Sequence, residues 1–483
     1  MLLKDLLAKV NIVSAKADMG IEIHGVSFDT RTLRAGELFI AIKGFESDGN
    51  DYVEDAVKKG AVCVLCEQAP VVDVPYVLVE DARKTLALVS AAWFGEPASK
   101  LKIIGVTGTN GKTTVTSLIK CVIEKCTGGV VGLIGTNAYK IGDMEFPSEH
   151  TTPESYVIQE LLSTMVSSGC EYVVMEVSSH ALHLDRVHGI EFDVGVFTNL
   201  SQDHLDLHGT MENYANAKAQ LFAISCTSAI NIDDEYANVM INHAKGPVLT
   251  YAINDDAADL VAKSVKLYAD KVEFCALTIG NLHRVVMNIP GMFSVYNALA
   301  VLAAVYLLEL DIETAAAVIQ TCSNVKGRAE IVPVPRDFTV LIDYAHTPDA
   351  LENIITTVRE FTQGRVVTLF GCGGGRDSEK RPLMGEIAAK LSDFVVVTSD
   401  NPRTEEPSAI IEDILVGMRD VKTAHKVIEN RREAIHWALE NAEHGDVVIL
   451  AGKGHETYQI FGKDKIHFDE REVVAEYFNA VDS

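Results

Sequence analysis

Near-continuous apolar runs alternate with helix-like stretches along most of this 483-residue chain. The clearest runs in the middle of the chain are LKIIGVT, YVVMEV and DVGVFTNL, and a later series comprises FTVLIDYA, RVVTLFG, DFVVVTS and DVVILAG. Runs without polar alternation are typical of parallel strands that are buried on both faces. Because helical segments separate them, the pattern predicts two parallel sheets covered by helices.

The pattern divides the chain into three regions, and we expect an α/β protein with three domains. Residues 1–97 contain short β-like runs such as GELFIAI and predict a smaller N-terminal α/β domain. Residues 98–327 contain the glycine-rich segment GTNGKTT and so predict a central P-loop-type ATPase domain with a parallel sheet. The alternation restarts over residues 328–483, which predict a doubly wound, Rossmann-like domain.

The segment LKIIGVTGTNGKTTVTSLIKCVIEKC joins an apolar strand to a patterned helix through a glycine-rich turn. Backbone N–H groups of such a turn, with the N-terminus of the helix, form an anion site. Lys112 can reach the distal phosphates of a nucleoside triphosphate, and the Thr113 hydroxyl can bind Mg²⁺. The spacing differs from GxxxxGK[ST], because Val106 stands where the first glycine belongs. The turn nevertheless predicts a triphosphate site.

Polar motifs rich in Asp, His, Arg, Gly and Asn follow the predicted strands, namely MEVSSH, TNLSQDHLDLHG, DYAHTPDA, GCGGGRDSEKRP, SDNPRTEEP and AGKGHE. Ligands of open α/β sheets bind at the carboxyl ends of the strands, so we expect the two sheets to face each other across one polar site. Glu176 and His204 are candidates to complete a Mg²⁺ site with Thr113 and phosphate oxygens. Arg376 and Arg403 suit a substrate carboxylate or phosphate.

Charge and composition narrow the class of partner. Lys and Arg total 42 against 68 Asp and Glu, a formal charge of −26, which disfavours nucleic acid and anionic membranes. The longest uncharged apolar run, residues 298–308, is far short of the ~20 residues that span a bilayer, so we expect no membrane insertion. The nine cysteines fit a reducing cytoplasm better than a disulfide framework, and we expect Cys63 and Cys66 to pack in a core.

Taken together and in order, GTNGKTT, EVSSH, TNLSQDHLDLHG, GMFSVYNALA, DYAHTPDAL, GCGGGRD and DNPR resemble the motifs of the Mur ligases. The resemblance spans essentially the whole chain and is strongest to the member that adds the third residue of the peptidoglycan stem peptide. GTNGKTT alone also admits folylpolyglutamate and cyanophycin synthetase relatives, whereas DNPR in its context is more specific.

The resemblance implies an ATP-dependent, ADP-forming ligase that acts as a monomer in the cytoplasm. It would add meso-diaminopimelate to UDP-N-acetylmuramoyl-L-Ala-D-Glu through an acyl phosphate, with Mg²⁺ as cofactor. The product would feed peptidoglycan synthesis, and through it cell shape and division.

The same resemblance implies the binding residues of two substrates. The UDP moiety would contact Phe28, Thr30, Phe45, Glu46 and Ser47. The muramoyl-dipeptide would be held by His150, Thr151, Thr152, Ser178 and Arg186. Leu184 stands where the family often has Gln, which puts one polar contact in doubt. ATP would be bound by Gly108, Thr109, Asn110, Gly111, Lys112, Thr113, Thr114, Asn297, Arg328, Asp343 and His346.

The resemblance also implies the catalytic and amino-acid-binding groups. The catalytic set would be Lys112, Glu176, His204 and Lys218, and the metal set Thr113, Glu176, His204 and Lys218. Lys218 matches the family's carbamylated lysine, a modification that converts an ammonium into a metal-bridging carboxylate. Meso-diaminopimelate would be recognised by Arg376, Asp400, Asn401, Pro402, Arg403, Gly452 and Glu456.

Three other functions compete with this interpretation. A lysine-adding or polyglutamylating ligase shares most motifs, but Arg403 argues against lysine, since it would leave an unpaired guanidinium in the site. A P-loop ATPase or GTPase switch would require a regular GxxxxGK and a Walker-B-like Asp, and neither is clear. A nicotinamide-dependent oxidoreductase rests on GCGGGRD alone, which does not match the dinucleotide fingerprint.

Overall fold

The computed structural model describes residues 1–44, 47–268, 271–278, 281–322 and 325–481. Phe45 and Glu46, two of the residues expected to contact UDP, lie outside the described residues. Three successive α/β domains are present, each with its own main sheet, as the alternating pattern predicted.

The N-terminal domain has a five-stranded sheet of order β1-β5-β4-β3-β2, parallel except for β1. Its elements are α1 Leu3–Leu6, β1 Ile12–Lys16, β2 Gly25–Ser27, β3 Glu37–Ile40, α2 Val53–Lys58, β4 Cys63–Cys66, β5 Tyr76–Val79 and α3 Ala82–Trp93. Asp81 caps α3 by accepting from the N–H groups of Arg83 and Lys84. Cys63 and Cys66 are fully buried in the sheet, which confirms their predicted packing role.

The central domain is built on an eleven-stranded sheet of order β16-β15-β14-β13-β12-β11-β6-β10-β7-β8-β9. Its first half comprises β6 Lys102–Thr107, α4 Lys112–Thr127, β7 Val131–Ile134, β8 Tyr139–Ile141, β9 Met144–Phe146, α5 Ser155–Ser167, β10 Tyr172–Glu176, α6 Ser179–His183 and β11 Phe192–Phe197. Its second half comprises α7 Leu205–His208, α8 Met211–Ala223, β12 Ser225–Asn231, α9 Ala237–His243, β13 Val248–Ala252, β14 Leu260–Leu267, β15 Val272–Thr278, β16 Asn281–Met287, α10 Met292–Leu307 and α11 Ile312–Ile319.

The central sheet is parallel from β14 to β7, as predicted, but both edges are antiparallel. Strands β15 and β16 extend one edge, and β8 and β9 extend the other. Only a few residues connect these edge strands, too few for the crossover that a parallel pair requires. Strand β6 therefore lies inside the parallel part of the sheet. The glycine-rich turn follows it at the carboxyl end of the sheet.

The C-terminal domain has a six-stranded sheet of order β17-β18-β22-β19-β20-β21, parallel except for β17, and a separate hairpin of β23 and β24. Its elements are β17 Glu330–Val332, β18 Thr339–Asp343, α12 Pro348–Arg359, β19 Val366–Phe370, α13 Lys380–Leu391, β20 Phe394–Val397, α14 Pro407–Met418, β21 Ala424–Val427, α15 Arg431–Glu440, β22 Val447–Ala451, β23 Tyr458–Phe461, β24 Asp464–His467 and α16 Glu470–Val481.

One disulfide is present, although the pattern of cysteines favoured a reducing environment. Helices α4 and α11 pack against each other in the central core, which brings the Cα atoms of Cys121 and Cys322 to 6.1 Å and allows their sulfurs to bond. The other seven cysteines are free. A single link of this kind is not a disulfide framework. Among the described residues, no helix combines the length and apolar character that a membrane crossing requires.

Candidate active site

The glycine-rich turn lies between β6 and α4, at the carboxyl end of the central sheet. Gly108 and Gly111 have φ values of 152° and 86°, and a Cβ on Gly108 would collide with the Thr198 hydroxyl. Strands β10 and β11 flank β6, with Glu176 opposite Val106 in register. The turn therefore lies between two strand ends that carry polar side chains, and its Thr109 and Asn110 N–H groups donate to Asn199 O and Oδ1.

Two lysine amines converge on the carbonyl oxygen of Gly108. Lys112 Nζ donates to it and to the Thr109 carbonyl, both at 2.8 Å. Lys218 Nζ, from α8, donates to the same Gly108 oxygen at 2.8 Å and lies 4.5 Å from the centre of the Tyr214 ring. Burial lowers the pKa of Lys218 well below its ordinary value, and the charge of Lys112 lowers it further. The neutral amine of Lys218 is therefore favoured relative to that of an exposed lysine.

Glu176 is a buried carboxylate held by hydroxyl and amide groups. It accepts from Thr113 Oγ1 at 3.1 Å, from Thr136 N at 2.8 Å and from Thr136 Oγ1 at 2.9 Å. Within the described ranges, no cationic side chain lies within ion-pair distance of it, although it is only 1% exposed. With three hydrogen-bond donors and no paired cation, this buried carboxylate is a candidate ligand for a metal cation.

His204 lies at the end of the loop after β11, in a left-handed conformation with φ 54°. Its Nε2 is 3.2 Å from Asp203 Oδ2, and its backbone N–H donates to Asp203 Oδ1 at 3.0 Å. Burial lowers the pKa of His204 to about 3 despite the neighbouring carboxylate. The imidazole is therefore neutral at physiological pH, the state in which it can bind a metal, and Asp203 fixes the orientation of its ring.

The donor set in this corner fits Mg²⁺. The Thr113 hydroxyl and the Glu176 carboxylate are hard oxygen ligands, and Mg²⁺ in triphosphate sites commonly takes one or two carboxylates together with phosphate oxygens. Lys218 fits the set only as a carbamate, because an ammonium has no lone pair to donate.

A cavity of about 340 Å³ opens beside the turn and is suited to a nucleoside. Gly111 and Asn297 line it from the central domain, and Arg328 and Asp343 line it from the C-terminal side. The Asp343 carboxylate accepts from Ala329 N at 2.7 Å, and burial raises its pKa. The structure thus brings together three of the four distal residues expected to contact ATP.

A second cavity, of about 270 Å³, lies between the central and C-terminal domains, as the strand-end motifs predicted. From the central domain it is lined by Thr109, Asn110, Gly111, Lys112, Thr113, Thr151, Glu176, Ser178, His204 and Lys218. From the C-terminal domain it is lined by His346, Arg376, Asp400, Asn401, Arg403, Gly452 and Glu456. His346, the fourth distal residue, therefore lines this second cavity and not the first.

Buried charges beneath this cavity fix the DNPR turn. Lys453 Nζ donates to Asn401 Oδ1 at 3.2 Å and to Glu456 Oε2 at 2.8 Å. Burial opposes ionisation of Asp400, but Lys453 and Arg431 outweigh it and hold the pKa of this carboxyl low. Arg403 Nη1 donates to the Gly374 carbonyl at 2.7 Å, which joins the DNPR and GCGGGRD loops.

Residues expected to hold the muramoyl-dipeptide are divided between the cavity and its surroundings. Thr151 and Ser178 line the cavity, whereas Thr152 lies beneath it and donates to the Glu176 carbonyl at 2.8 Å. Arg186 binds Glu154 Oε1 through Nε at 3.0 Å, outside the cavity lining. His150 is exposed and is also not among the lining residues.

The expected UDP residues that the structure describes lie in the N-terminal domain. Phe28 packs against Tyr156 of α5, with ring centres 6.0 Å apart. The Thr30 carbonyl accepts from Lys59 Nζ at 2.5 Å, and Ser47 O accepts from Gly44 N at 2.8 Å. These residues do not line either cavity, so UDP would bind at a distance from the reacting atoms.

Sequence reasoning missed several charged residues around the site: Asp203, Lys380, Arg431 and Lys453 are buried, and Asp349 is partly buried. Asp203, Asp349, Lys380 and Lys453 occur within the motifs already noted, so their positions at strand ends were a usable signal. Arg431 begins α15 with no motif around it, and only the fold shows that it supports the DNPR turn.

Three family profiles match the chain in order. The Mur ligase family catalytic domain matches residues 22–94, the Mur ligase middle domain residues 106–305, and the Mur ligase glutamate ligase domain residues 327–454.

Relatives and solved structures extend the similarity over the full length. UDP-N-acetylmuramoyl-L-alanyl-D-glutamate--2,6-diaminopimelate ligase of Caldanaerobacter subterraneus subsp. tengcongensis is 49% identical over 464 residues, covering 95% of this chain and 96% of that protein. A ligase of the same name, numbered 1, from Clostridium acetobutylicum is 48% identical over 482 residues, covering 99% of each. A solved structure of a ligase of this name has a TM-score of 0.71 at 31% identity and covers 100% of this chain and 99% of its own. The chain therefore belongs to the Mur ligase family.

Proposed function

We propose that this protein joins meso-diaminopimelate to UDP-N-acetylmuramoyl-L-Ala-D-Glu and cleaves ATP to ADP and phosphate. The observation that carries the proposal is the cavity between the two domains. The glycine-rich turn lines one side of it, and Arg376 and Arg403 line the other. A phosphate-activated carboxylate and an amino-acid amine can thus meet within one enclosure. The names of relatives at 48–49% identity support this choice of substrates.

In the first step the side-chain carboxylate of D-Glu attacks the γ-phosphorus of ATP, the bond to ADP breaks, and an acyl phosphate forms. Two anions must approach each other, so fixed positive charge is the main requirement. Lys112 exchanges the carbonyls of Gly108 and Thr109 for phosphate oxygens, and Arg328 adds a second charge from the C-terminal domain.

The metal ligands of the proposal are Thr113, Glu176, His204 and carbamylated Lys218. Mg²⁺ held by these groups supplies positive charge to the phosphate oxygens. The carbamate forms when the neutral amine of Lys218 adds to CO₂ and releases a proton, and the lowered pKa of this lysine favours that reaction.

In the second step the neutral amine of diaminopimelate attacks the acyl-phosphate carbon, phosphate leaves, and the amide forms with loss of one proton from the amine. Arg403 and Arg376 orient the amino acid through its carboxylates, since a guanidinium offers paired donors to a carboxylate. Asp400, Asn401, Glu456 and the backbone of Pro402 and Gly452 complete that pocket in this proposal. Positioning and electrostatic stabilisation together supply most of the rate enhancement.

The dipeptide and the nucleotides bind around this centre. We assign UDP to Phe28, Thr30 and Ser47, and the muramoyl-dipeptide to Thr151, Thr152, Ser178, His150 and Arg186. ATP occupies the cavity of about 340 Å³, with Asn297 and Asp343 at its nucleoside end. Arg186 would have to release Glu154 to bind a substrate carboxylate, since the two are paired at 2.9 Å.

Domain limits and location complete the proposal. We propose boundaries after residues 97 and 327, and each resulting segment contains one main sheet. Both nucleotide substrates are intracellular metabolites by their chemistry, which supports a cytoplasmic protein, and we propose that it acts as a monomer.

The test is phosphate release measured with ATP alone, with each substrate omitted in turn, and with the full mixture. We expect strong turnover only in the full mixture, with one amide formed per phosphate by mass spectrometry. Equal turnover with ATP alone would instead indicate an ATPase switch.

A further inference from the structure

Lys380 is a buried lysine of the C-terminal domain, and its ionic partner lies in the central domain. It is 6% exposed at the start of α13, and its Nζ lies 3.4 Å from Oδ1 of Asp203, which is 4% exposed. Among the described residues, no other acceptor lies within hydrogen-bond distance of this Nζ. A buried ammonium requires a partner, and here the partner belongs to another domain.

The charge of Lys380 does not stabilise α13, because of where the residue lies in that helix. A cation at a helix N-terminus opposes the helix dipole, so this residue disfavours the helix that carries it. Its neighbour Arg381 faces the other way, binding Glu405 of the DNPR loop and Asp413 of α14, both at 2.9 Å. The first turn of α13 therefore links the amino-acid loops on one side to the loop after β11 on the other.

Asp349 and Arg328 of the C-terminal domain make further contacts across the same boundary, at the nucleotide end, where Ser201 Oγ also donates to Asp349 Oδ2 at 3.5 Å. Asn110 Nδ2 donates to Asp349 Oδ2 at 2.6 Å, and Arg328 Nη2 donates to Thr113 Oγ1 at 2.9 Å. None of these contacts holds the loop that carries Arg376, which lies four positions before Lys380. Among the described residues, the ion pair of Lys380 with Asp203 is thus a contact that joins the two domains at the amino-acid end of their boundary.

We propose that Lys380 is a positioning residue for amide formation, which docks the amino-acid loops onto Asp203 so that the amine lies against the acyl phosphate. The inference rests on the proposed function. When the dock is intact, the amine displaces phosphate and forms the amide. When it is loosened, water attacks the acyl phosphate instead, returning the carboxylate and releasing phosphate.

The test is the ratio of phosphate released to amide formed, measured for Lys380→Met. We expect formation of the acyl phosphate, trapped by borohydride in the first turnover without amino acid, to fall far less than amide formation, because Asp203 itself stays in place beside His204. Amide formation should fall on the order of 100-fold, because a misplacement of about 1 Å costs about that factor. The ratio of phosphate released to amide formed should therefore rise well above one. Lys380→Arg should restore a ratio near one, because the guanidinium reaches the same carboxylate.

Lys390→Met is the matched control, since Lys390 is exposed on the same helix and pairs with Glu386. Should Lys380→Met not fold, Lys380→Gln gives the same measurement with a neutral polar side chain. A ratio that stays near one in the folded variant, whether or not both half-reactions slow in parallel, would overturn the inference. If the unmutated protein forms no amide at all, it is the proposed function that fails.

Discussion

The Arg328 guanidinium donates from Nη2 to the Thr113 hydroxyl at 2.9 Å, across 215 positions of sequence. It also lies over the Tyr344 ring, with 4.6 Å between Cζ and the ring centre. The C-terminal domain thereby holds a permanent positive charge beside the first turn of α4. In the proposed function, nucleotide chemistry in the central domain therefore depends on a side chain from the neighbouring domain.

Removal of that charge should slow phosphoryl transfer. We expect Arg328→Ala to lower kcat by roughly 10²–10³ at saturating ATP, since one preorganised donor to developing charge is worth about that factor. Arg328→Lys should recover only part, because an ammonium lacks the planar fork. Steady-state phosphate release measures the effect of both substitutions, and Arg432→Ala, at a partly exposed arginine paired with Glu476, is the control. A kcat near that of the unmutated protein for Arg328→Ala would contradict the assignment.

Arg403 should determine which amino acid is used. The distal carboxylate of meso-diaminopimelate is absent from L-lysine, so lysine would leave a guanidinium unpaired. We expect kcat/KM for meso-diaminopimelate to exceed that for L-lysine by roughly 10³ or more. Arg403→Ala should abolish the preference mainly by harming diaminopimelate, whereas exposed Arg419, changed to Ala, should not alter it. Comparable use of both amino acids by the unmutated protein would leave a ligase with a different substrate.

Lys218 should be required as a carbamate and not as an ammonium. We expect Lys218→Ala to lose most activity while ATP binding persists, because the lysine lies behind the turn and not in the nucleoside cavity. Bicarbonate should give no rescue, whereas a short carboxylic acid should restore part of the activity by replacing the missing carboxylate. Carbon-13 NMR of protein equilibrated with labelled CO₂ should show one carbamate signal that the variant lacks. A bare ammonium in active, CO₂-equilibrated protein would refute the modification.

Asp446 should make stability depend on pH in the acid range. It accepts from Arg365 Nε and Nη2 at 3.1 and 2.7 Å. Burial opposes ionisation, but these bonds and backbone N–H groups outweigh it, so the folded pKa lies below the ordinary value of 3.8. A depressed pKa gives stability that is present above the unfolded pKa and is lost as pH falls through the folded one.

The corresponding variant is Asp446→Asn. At pH 7 it should destabilise the protein by about 1–3 kcal/mol, the cost of unsatisfied buried donors. The difference from the unmutated protein should shrink as pH falls below 3.8, where the native carboxyl also becomes protonated. Urea-unfolding midpoints at several pH values measure this difference in stability. The control is Asp420→Asn, at an exposed position. A stability difference that grows towards acid pH would show that folding does not lower the pKa of Asp446.

The sequence predicted the strands that carry the site because those strands are apolar on both faces. The run LKIIGVT became β6, YVVMEV became β10 and VVTLFG became β19, each ending within two residues of its polar motif. The strands β14 to β16 gave a weaker signal, because one face of this edge is partly exposed and polar residues interrupt the runs.

Pairings across domains could not be predicted in the same way. Asp203 and Lys380 are 177 positions apart, and each stands in a motif that already contains other charged residues. The local pattern indicates that both lie at strand ends but not that they meet, because their contact depends on how two domains dock. The bond between Cys121 and Cys322 is similar, since it depends on the packing of α4 against α11.

The flanking of β6 by β10 and β11 has a consequence for engineering of this chain. Glu176 is opposite Val106, and Phe197 is opposite Thr107, so the site is fixed by how the strands align. Deletion of one residue inside β10 would turn Glu176 to the other face of the sheet, and no change in a loop could restore it. Extra residues at Gly142, in the turn between β8 and β9 at the sheet edge, would leave that alignment untouched. Tags and inserted domains therefore belong at that turn.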